Sequence, residues 1–132
     1  MPSELAHSKA AKFKTARSQV FNLDNGSGTT IDDVILRATR QVRLHAARIV
    51  YTDAQTGTVA AGNVTIGTAV NGEEIVAETA YENSKAVGTV TALTLVTTTV
   101  AANTPVIVRH TGVASTAAGM AYIELDYSLF DD

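Results

Sequence analysis

NVTIGTAVNGEEIVAETA (residues 63–80) holds two extended-type runs on either side of the pair Asn71-Gly72. Both central residues of a type I′ turn need positive φ, and Asn-Gly takes that conformation at little cost, so the stretch predicts a β-hairpin. The sequence around it repeats the pattern of short run, then turn. QVFNLD (19–24) sets Phe21 and Leu23 against Val20, Asn22 and Asp24, and NGSGTT (25–30) supplies glycine-rich turn chemistry. IDDVILRAT (31–39) and RQVRLHAARIVYTD (40–53) are β-rich; the second puts Val42, Leu44 and Ala46 on one side and Arg43 and His45 on the other. Gln55-Thr56-Gly57 is a turn signal.

Beyond the hairpin come the loop YENSKAVG (81–88), the run VTALTLVTTTV (90–100), the turn AANTP (101–105), VIVRHTG (106–112), a small-residue loop at 112–119 and MAYIELDYSL (120–129). VTALTLV is apolar on both sides, as expected of a central strand buried on two faces or of one covered by another subunit. In the closing run Ile123, Leu125 and Tyr127 are expected inside, and Tyr122, Glu124 and Asp126 outside. Pro105 suits the first position of a strand. With no convincing amphipathic helix after residue 20, the pattern predicts an all-β fold, an antiparallel β-sandwich of jelly-roll type. Residues 19–132 form that domain, and residues 1–18 a basic N-terminal arm, extended or partly helical, in which Leu5, Lys9 and Phe13 fall four apart.

Composition agrees with one such domain. The 132 residues are 45% hydrophobic but only 5% aromatic, with no tryptophan, so the core is built from Ala, Val, Ile and Leu. β-Branched side chains of that kind suit sheets packed face to face. The absence of cysteine excludes disulfides, thiol catalysis and thiolate metal sites. Apolar runs fall far short of the roughly 20 residues that span a bilayer, and the N-terminus lacks the apolar middle of a secretory signal, so a soluble, intracellularly made protein is expected. The net charge of −3 is unevenly spread: residues 1–48 carry eight Lys/Arg against four Asp/Glu, and the remainder two against nine. A basic arm beside an acidic body suits contact with nucleic acid, with an acidic protein surface or with a neighbouring copy, and equally suits a solvated tail.

No constellation points to catalysis, and no enzyme activity is expected. His7, His45 and His110 have no metal-type spacing, and no cofactor or metal is expected. Ser27 and Ser115 sit in loops without a presented nucleophile turn. Gly26-Ser27-Gly28-Thr29-Thr30 lacks the lysine and the strand-to-helix setting of a phosphate loop. Glu73, Glu74, Glu78 and Glu82 could hold a hard cation, although charged residues on a solvated edge strand have the same pattern. Asn25-Gly26-Ser27 and Asn63-Val64-Thr65 match the glycosylation pattern, which has no meaning without a secretory route. Arg37, Arg40, Arg43 and Arg48 are interleaved with aliphatics rather than aromatics, so nucleic-acid binding is not expected.

From about residue 40 to 129 the order of segments resembles the small capsid decoration (cement) proteins of tailed bacteriophages. The residues that carry this are Arg43 and Arg48 leading to Thr56-Gly57, then Asn103-Thr104-Pro105-Val106, with asparagine where that family has glycine, before a small-residue loop and an aromatic-acidic final strand. The resemblance implies a structural virion protein, made in the host cytoplasm, that binds the exterior of a major capsid protein lattice, often as a trimer. It carries over no catalytic residues. The residues expected at a capsid or subunit interface are Lys9, Lys12, Phe13, Lys14, Arg17, Arg43, Arg48, Arg109 and His110. A carbohydrate- or receptor-binding module of a phage fibre or tail is the alternative for the same sandwich.

Overall fold

Period-two alternation carries the described residues through ten strands. The computed structural model describes residues 13–56, 59, 62–113 and 118–130. The strands are β1 (Lys14–Arg17), β2 (Phe21–Asn22), β3 (Thr30–Arg37), β4 (Val42–Thr56), β5 (Asn63–Gly67), β6 (Val76–Ala80), β7 (Val90–Leu93), β8 (Thr99–Val100), β9 (Pro105–Thr111) and β10 (Ala118–Leu129). One sheet runs β1-β10-β4-β7, with β2 also on β10 and β8 also on β4; the other runs β3-β9-β5-β6. All pairings are antiparallel. Counting β1 with β2, and β7 with β8, as one position each leaves four positions per sheet. Their order is that of a jelly roll.

The inward faces of the two sheets meet in a layer of small apolar residues. Leu44, Ile49, Ile123 and Leu125 come from one sheet and Val64, Ile66, Val106 and Val108 from the other, all essentially without solvent contact. Phe21, Tyr51 and Tyr81 add the only large rings among the fully buried described side chains. Ile123 and Leu125 face inward as their alternation requires, and Tyr127 packs against the same core. A hairpin does join β5 and β6, but not through a two-residue type I′ turn: Asn71 takes φ 64° while Gly72 does not take positive φ, the Gly72 N–H donates to the Ala69 carbonyl at 2.9 Å, and the connection is the longer loop 68–75. Gly67 is obligatory there, because a Cβ would stand 2.4 Å from the carbonyl carbon of Gly72. Asn103 likewise takes positive φ in the turn that precedes Pro105, where β9 begins.

Three expectations change. VTALTLV is not a central strand: β7 is the outermost strand beside β4, and Val90 and Val96 are exposed. Apolar residues on both faces of a run do not distinguish double burial from a flank left open. Second, sheet structure begins inside the stretch read as an arm. Lys14–Arg17 pair with Glu124–Tyr127 of β10, and Ala16 is buried in the core. An arm-like composition of Ala, Ser and Lys hid a strand whose partner lies more than 100 residues away. The helical spacing from Leu5 to Phe13 falls mostly outside the described residues. Third, β4 does not keep one alternation throughout. The register slips where Ala46 pairs with Asp126 but Leu44 with Tyr127, so Val42 and Leu44 point inward and, past His45, Ala47, Ile49 and Tyr51 take over. Such a bulge bends the strand and re-aims its side chains.

Candidate interaction surface

The alternation that buries Ile123 and Leu125 sends Glu124 and Asp126 to the other side of β10. The registers of β1 and β4 then set Arg17 and Arg48 on either side of Glu124. Arg48 donates from Nε to Glu124 Oε1 at 2.8 Å, and from Nη1 and Nη2 to the two oxygens of Asp126 at 2.7 and 3.0 Å. Arg17 Nε donates to Glu124 Oε2 at 3.1 Å, and Thr15 Oγ1 donates to Asp126 Oδ1 at 2.9 Å. Paired forks of this type are strong and directional. Burial acts to raise the Glu124 carboxyl, but the hydrogen bonds from Arg17 and Arg48 outweigh it and hold it below the usual range. The hydrogen bonds from Arg48 hold Asp126 low in the same way, against burial, and Arg48 itself is held above the ordinary guanidinium value chiefly by Asp126.

Aromatic contacts border this grid. Arg17 lies over the Tyr122 ring and Arg43 over the Phe130 ring, each 4.6 Å from the centroid. Phe13 packs on His45 with centroids 4.3 Å apart, and His45 Nε2 is 2.8 Å from Ser128 Oγ. The outward face of the β1-β10-β4 sheet thus collects Phe13, Arg17, Arg43 and Arg48, four of the residues expected at an interface. Lys14 is exposed on the same edge strand. Lys9 and Lys12 lie outside the described residues.

Arg109 and His110 go elsewhere. On the outward face of the other sheet Arg109 forks onto Asp32, Nε to Oδ1 at 2.7 Å and Nη2 to Oδ2 at 2.9 Å. That hydrogen bonding, against a smaller desolvation effect, holds Asp32 low and Arg109 high. His110 is not on the surface. It follows Val106 and Val108 on the inward face of β9 and has no exposed area. Its Nδ1 is 2.7 Å from the Tyr81 hydroxyl and its Nε2 is 3.0 Å from Asn25 Oδ1, which makes Nε2 the donor and Nδ1 the acceptor for the tyrosine proton. Phe21 stacks on the ring at 4.9 Å. Burial lowers the imidazole pKa to about 4, opposed in part by a backbone hydrogen bond at Asn22.

Asn25 reaches this position because the next turn has no side chain: a Cβ on Gly112 would stand 1.5 Å from Asn25 Oδ1. The residues expected together as Arg109-His110 are therefore split by alternation between the surface and the core. Sequence reasoning missed the Tyr81-His110-Asn25 network and the carboxylates of the arginine grid. The period-two series Val106, Val108, His110 was the available signal for the first, and Glu124 with Asp126 on one face was the signal for the second. Among the described residues no group of three or more His, Asp or Glu is arranged to hold a metal ion. Glu82 is held low by the Thr91 hydroxyl and by Lys85 rather than joining an acidic cluster.

The arginines of the grid are committed to carboxylates and to rings, so this face is a fixed, nearly neutral polar relief rather than a basic strip.

No protein-family model and no curated protein sequence matches the chain. Solved structures do. A chain of the cyanophage Pam1 capsid asymmetric unit superposes with a TM-score of 0.61 at 12% identity, covering 89% of this chain and 84% of that one. A chain of infectious bursal disease virus, Gx strain, aligns with a TM-score of 0.43 at 14% identity, over 91% of this chain and 33% of its own length. The first likeness extends the jelly-roll assignment across nearly the whole of both chains.

Proposed function

We propose that this chain is a structural protein of a virus particle, and within that class a decoration protein that binds the outside of a tailed-phage capsid and braces the major capsid protein lattice, as a trimer. The observation that carries the reading is the end-to-end match of the sandwich to a chain of similar extent in a phage capsid asymmetric unit. The segment order from residue 40 to 129 supports it independently. The site geometry is compatible: a rigid relief made of Arg17, Arg48, Glu124 and Asp126, bordered by Phe13, Tyr122 and Phe130, offers polar contacts already held in place. Many copies on a lattice turn modest single contacts into firm attachment.

Co-sedimentation tests this directly. Purified protein mixed with undecorated capsids of its own phage is expected to pellet with them to saturation, and pre-formed decorated capsids are expected to take up none. Protein that stays in the supernatant over excess undecorated capsid would overturn the proposal. A reproducible hit on a glycan array, together with failure to pellet, would transfer the chain to a receptor-binding role.

A further inference from the structure

Beyond β2 one end of the sandwich is closed by a turn rather than by a strand. Residues 23–29 lie against 112–113 through four backbone hydrogen bonds: the Val113 N–H donates to the Leu23 carbonyl, the Gly26 N–H to the Val113 carbonyl and the Gly112 N–H to the Thr29 carbonyl, each at 2.9 Å, and the Gly28 N–H to the Gly112 carbonyl at 3.3 Å. Leu23 anchors the start of the turn in the core. Past it, Asn25 is the residue whose side chain reaches in, to Nε2 of His110. Gly26 and Gly28 follow at φ 117° and 73°, a glycine pair around which the backbone swings with little steric hindrance, and Ser27, Gly28 and Thr29 are exposed.

The imidazole that holds Asn25 has no counter-ion. Facing it are the Phe21 ring from β2, the Tyr81 hydroxyl just past β6, Asn25 itself, the backbone of Asn22, and its cross-strand neighbours Ile31 on β3 and Val64 on β5. Among the described residues no carboxylate, lysine or arginine bonds to the ring, and Tyr81 stays protonated because burial raises its hydroxyl. A second proton on the ring therefore lands on Nδ1, the acceptor of the neutral form. Nε2 goes on donating to Asn25, but Nδ1 and the Tyr81 hydroxyl then present hydrogens to each other, and the hydroxyl can accept only by turning its own proton away from its one partner. The result is a buried charge beside a misdirected donor, which the Phe21 face, Asn25 and the Asn22 backbone soften without neutralising.

We propose that the His110-Asn25-Tyr81 cluster is an acid-released latch: a proton from solvent taken up at His110 frees the 23–29 turn and opens this end of the sandwich, while the β1-β10-β4 sheet stays paired. The turn gives up four backbone bonds and one side-chain bond, whereas β10 is paired along its whole length. Openings of this local kind lie below the free energy of global unfolding. Closed, the ring resists protonation until about pH 4; opened to water it regains its ordinary value of 6.5. Opening therefore takes up a proton, so the open population is flat above pH 6.5 and rises about tenfold per pH unit as pH falls from 6.5 to 4. The latch goes beyond the capsid reading and does not depend on it, because its test contains no capsid.

Hydrogen exchange followed by NMR on the full chain, in zero to moderate urea, tests the latch. The amides of Gly26, Gly28, Gly112 and Val113 are expected to exchange through an opening that low urea does not change, with protection factors that fall about tenfold per pH unit from 6.5 to 4.5. Amides of β10 are expected to stay better protected and to respond to urea as global unfolding does. His110→Gln is expected to remove the pH dependence at the four turn amides, and Asp24→Asn, which deletes the carboxylate in the same turn, to keep it. Should His110→Gln fail to fold, Asn25→Ala reads the same latch, since its turn amides are expected to lose protection at least about tenfold already at pH 7.5. Turn amides that follow β10 in both urea and pH, a pH dependence that survives His110→Gln or vanishes in Asp24→Asn, or an Asn25→Ala turn as protected as wild type would each overturn the proposal.

Discussion

His110 is the residue whose environment is most at odds with its chemistry. The unfolded chain binds a proton at this imidazole below its ordinary 6.5, while the folded chain refuses it until about 4. Falling pH through that window therefore favours the unfolded state. The stability the neutral ring contributes is complete above pH 6.5 and lost by pH 4, about 3 kcal/mol in all. Urea unfolding between pH 7.5 and 4 should show this slope in wild type and a much flatter one in His110→Gln, whose stability at pH 7.5 should be lower. The low-lying carboxylates Asp32, Glu124 and Asp126 act in the same direction, but only as pH drops below the ordinary carboxylate range. Gly112→Ala should destabilise by about 2 kcal/mol, because its Cβ displaces Asn25 from the imidazole and leaves a buried donor unpaired. Calorimetry on that variant, compared with Asn25→Ala, tests whether the two act through one contact: the double mutant should cost little more than either single change. Arg48→Ala strips Asp126 of its principal partner and Glu124 of one of its two arginines, leaving it Arg17. A loss of about 2 kcal/mol at neutral pH, reduced in acid where the carboxylates protonate, is the expected outcome of denaturation with and without the side chain.

At the level of elements the first strand makes the sharpest statement. β1 supplies Ala16 to the core and Arg17 to Glu124, so truncations on either side of it should behave differently. Removing residues 1–12 should leave the melting temperature within a few degrees of wild type, whereas removing 1–18 should lower it by about 10 °C or more, as expected from losing several kcal/mol in a domain of this size. Circular dichroism on the two truncated chains checks this. The strand also shows where sequence reasoning reaches its limit. Alternation identified β3, β4, β9 and β10 and the inward set Ile123, Leu125 and Tyr127, and turn chemistry placed the 71–72 hairpin and the start of β9, because these are local signals. β1 was not legible: four residues, two of them charged, become a strand only through a partner far along the chain. β7 was legible as a strand but not in its place, since exposure of a flank depends on sheet order. The arginine grid failed for the same reason as β1. Arg17 and Arg48 were recognised as candidates, but what occupies them is decided by register with β10.

Across the whole molecule, the strand order accounts for both the rigidity and the exposed flanks. Two four-position sheets closed face to face leave two flanks open, one formed by β1, β2 and β3 and the other by β6, β7 and β8. The placement of β10 has another consequence. This last strand does not close an edge; it is inserted between β1 and β4, with β2 also against it. Until residues 118–129 have left the ribosome, the β1 and β4 segments have no common partner and half of the sandwich does not exist. Folding of the β1-β10-β4 face therefore waits on pairings more than 100 residues apart, and such long-range closure is slow.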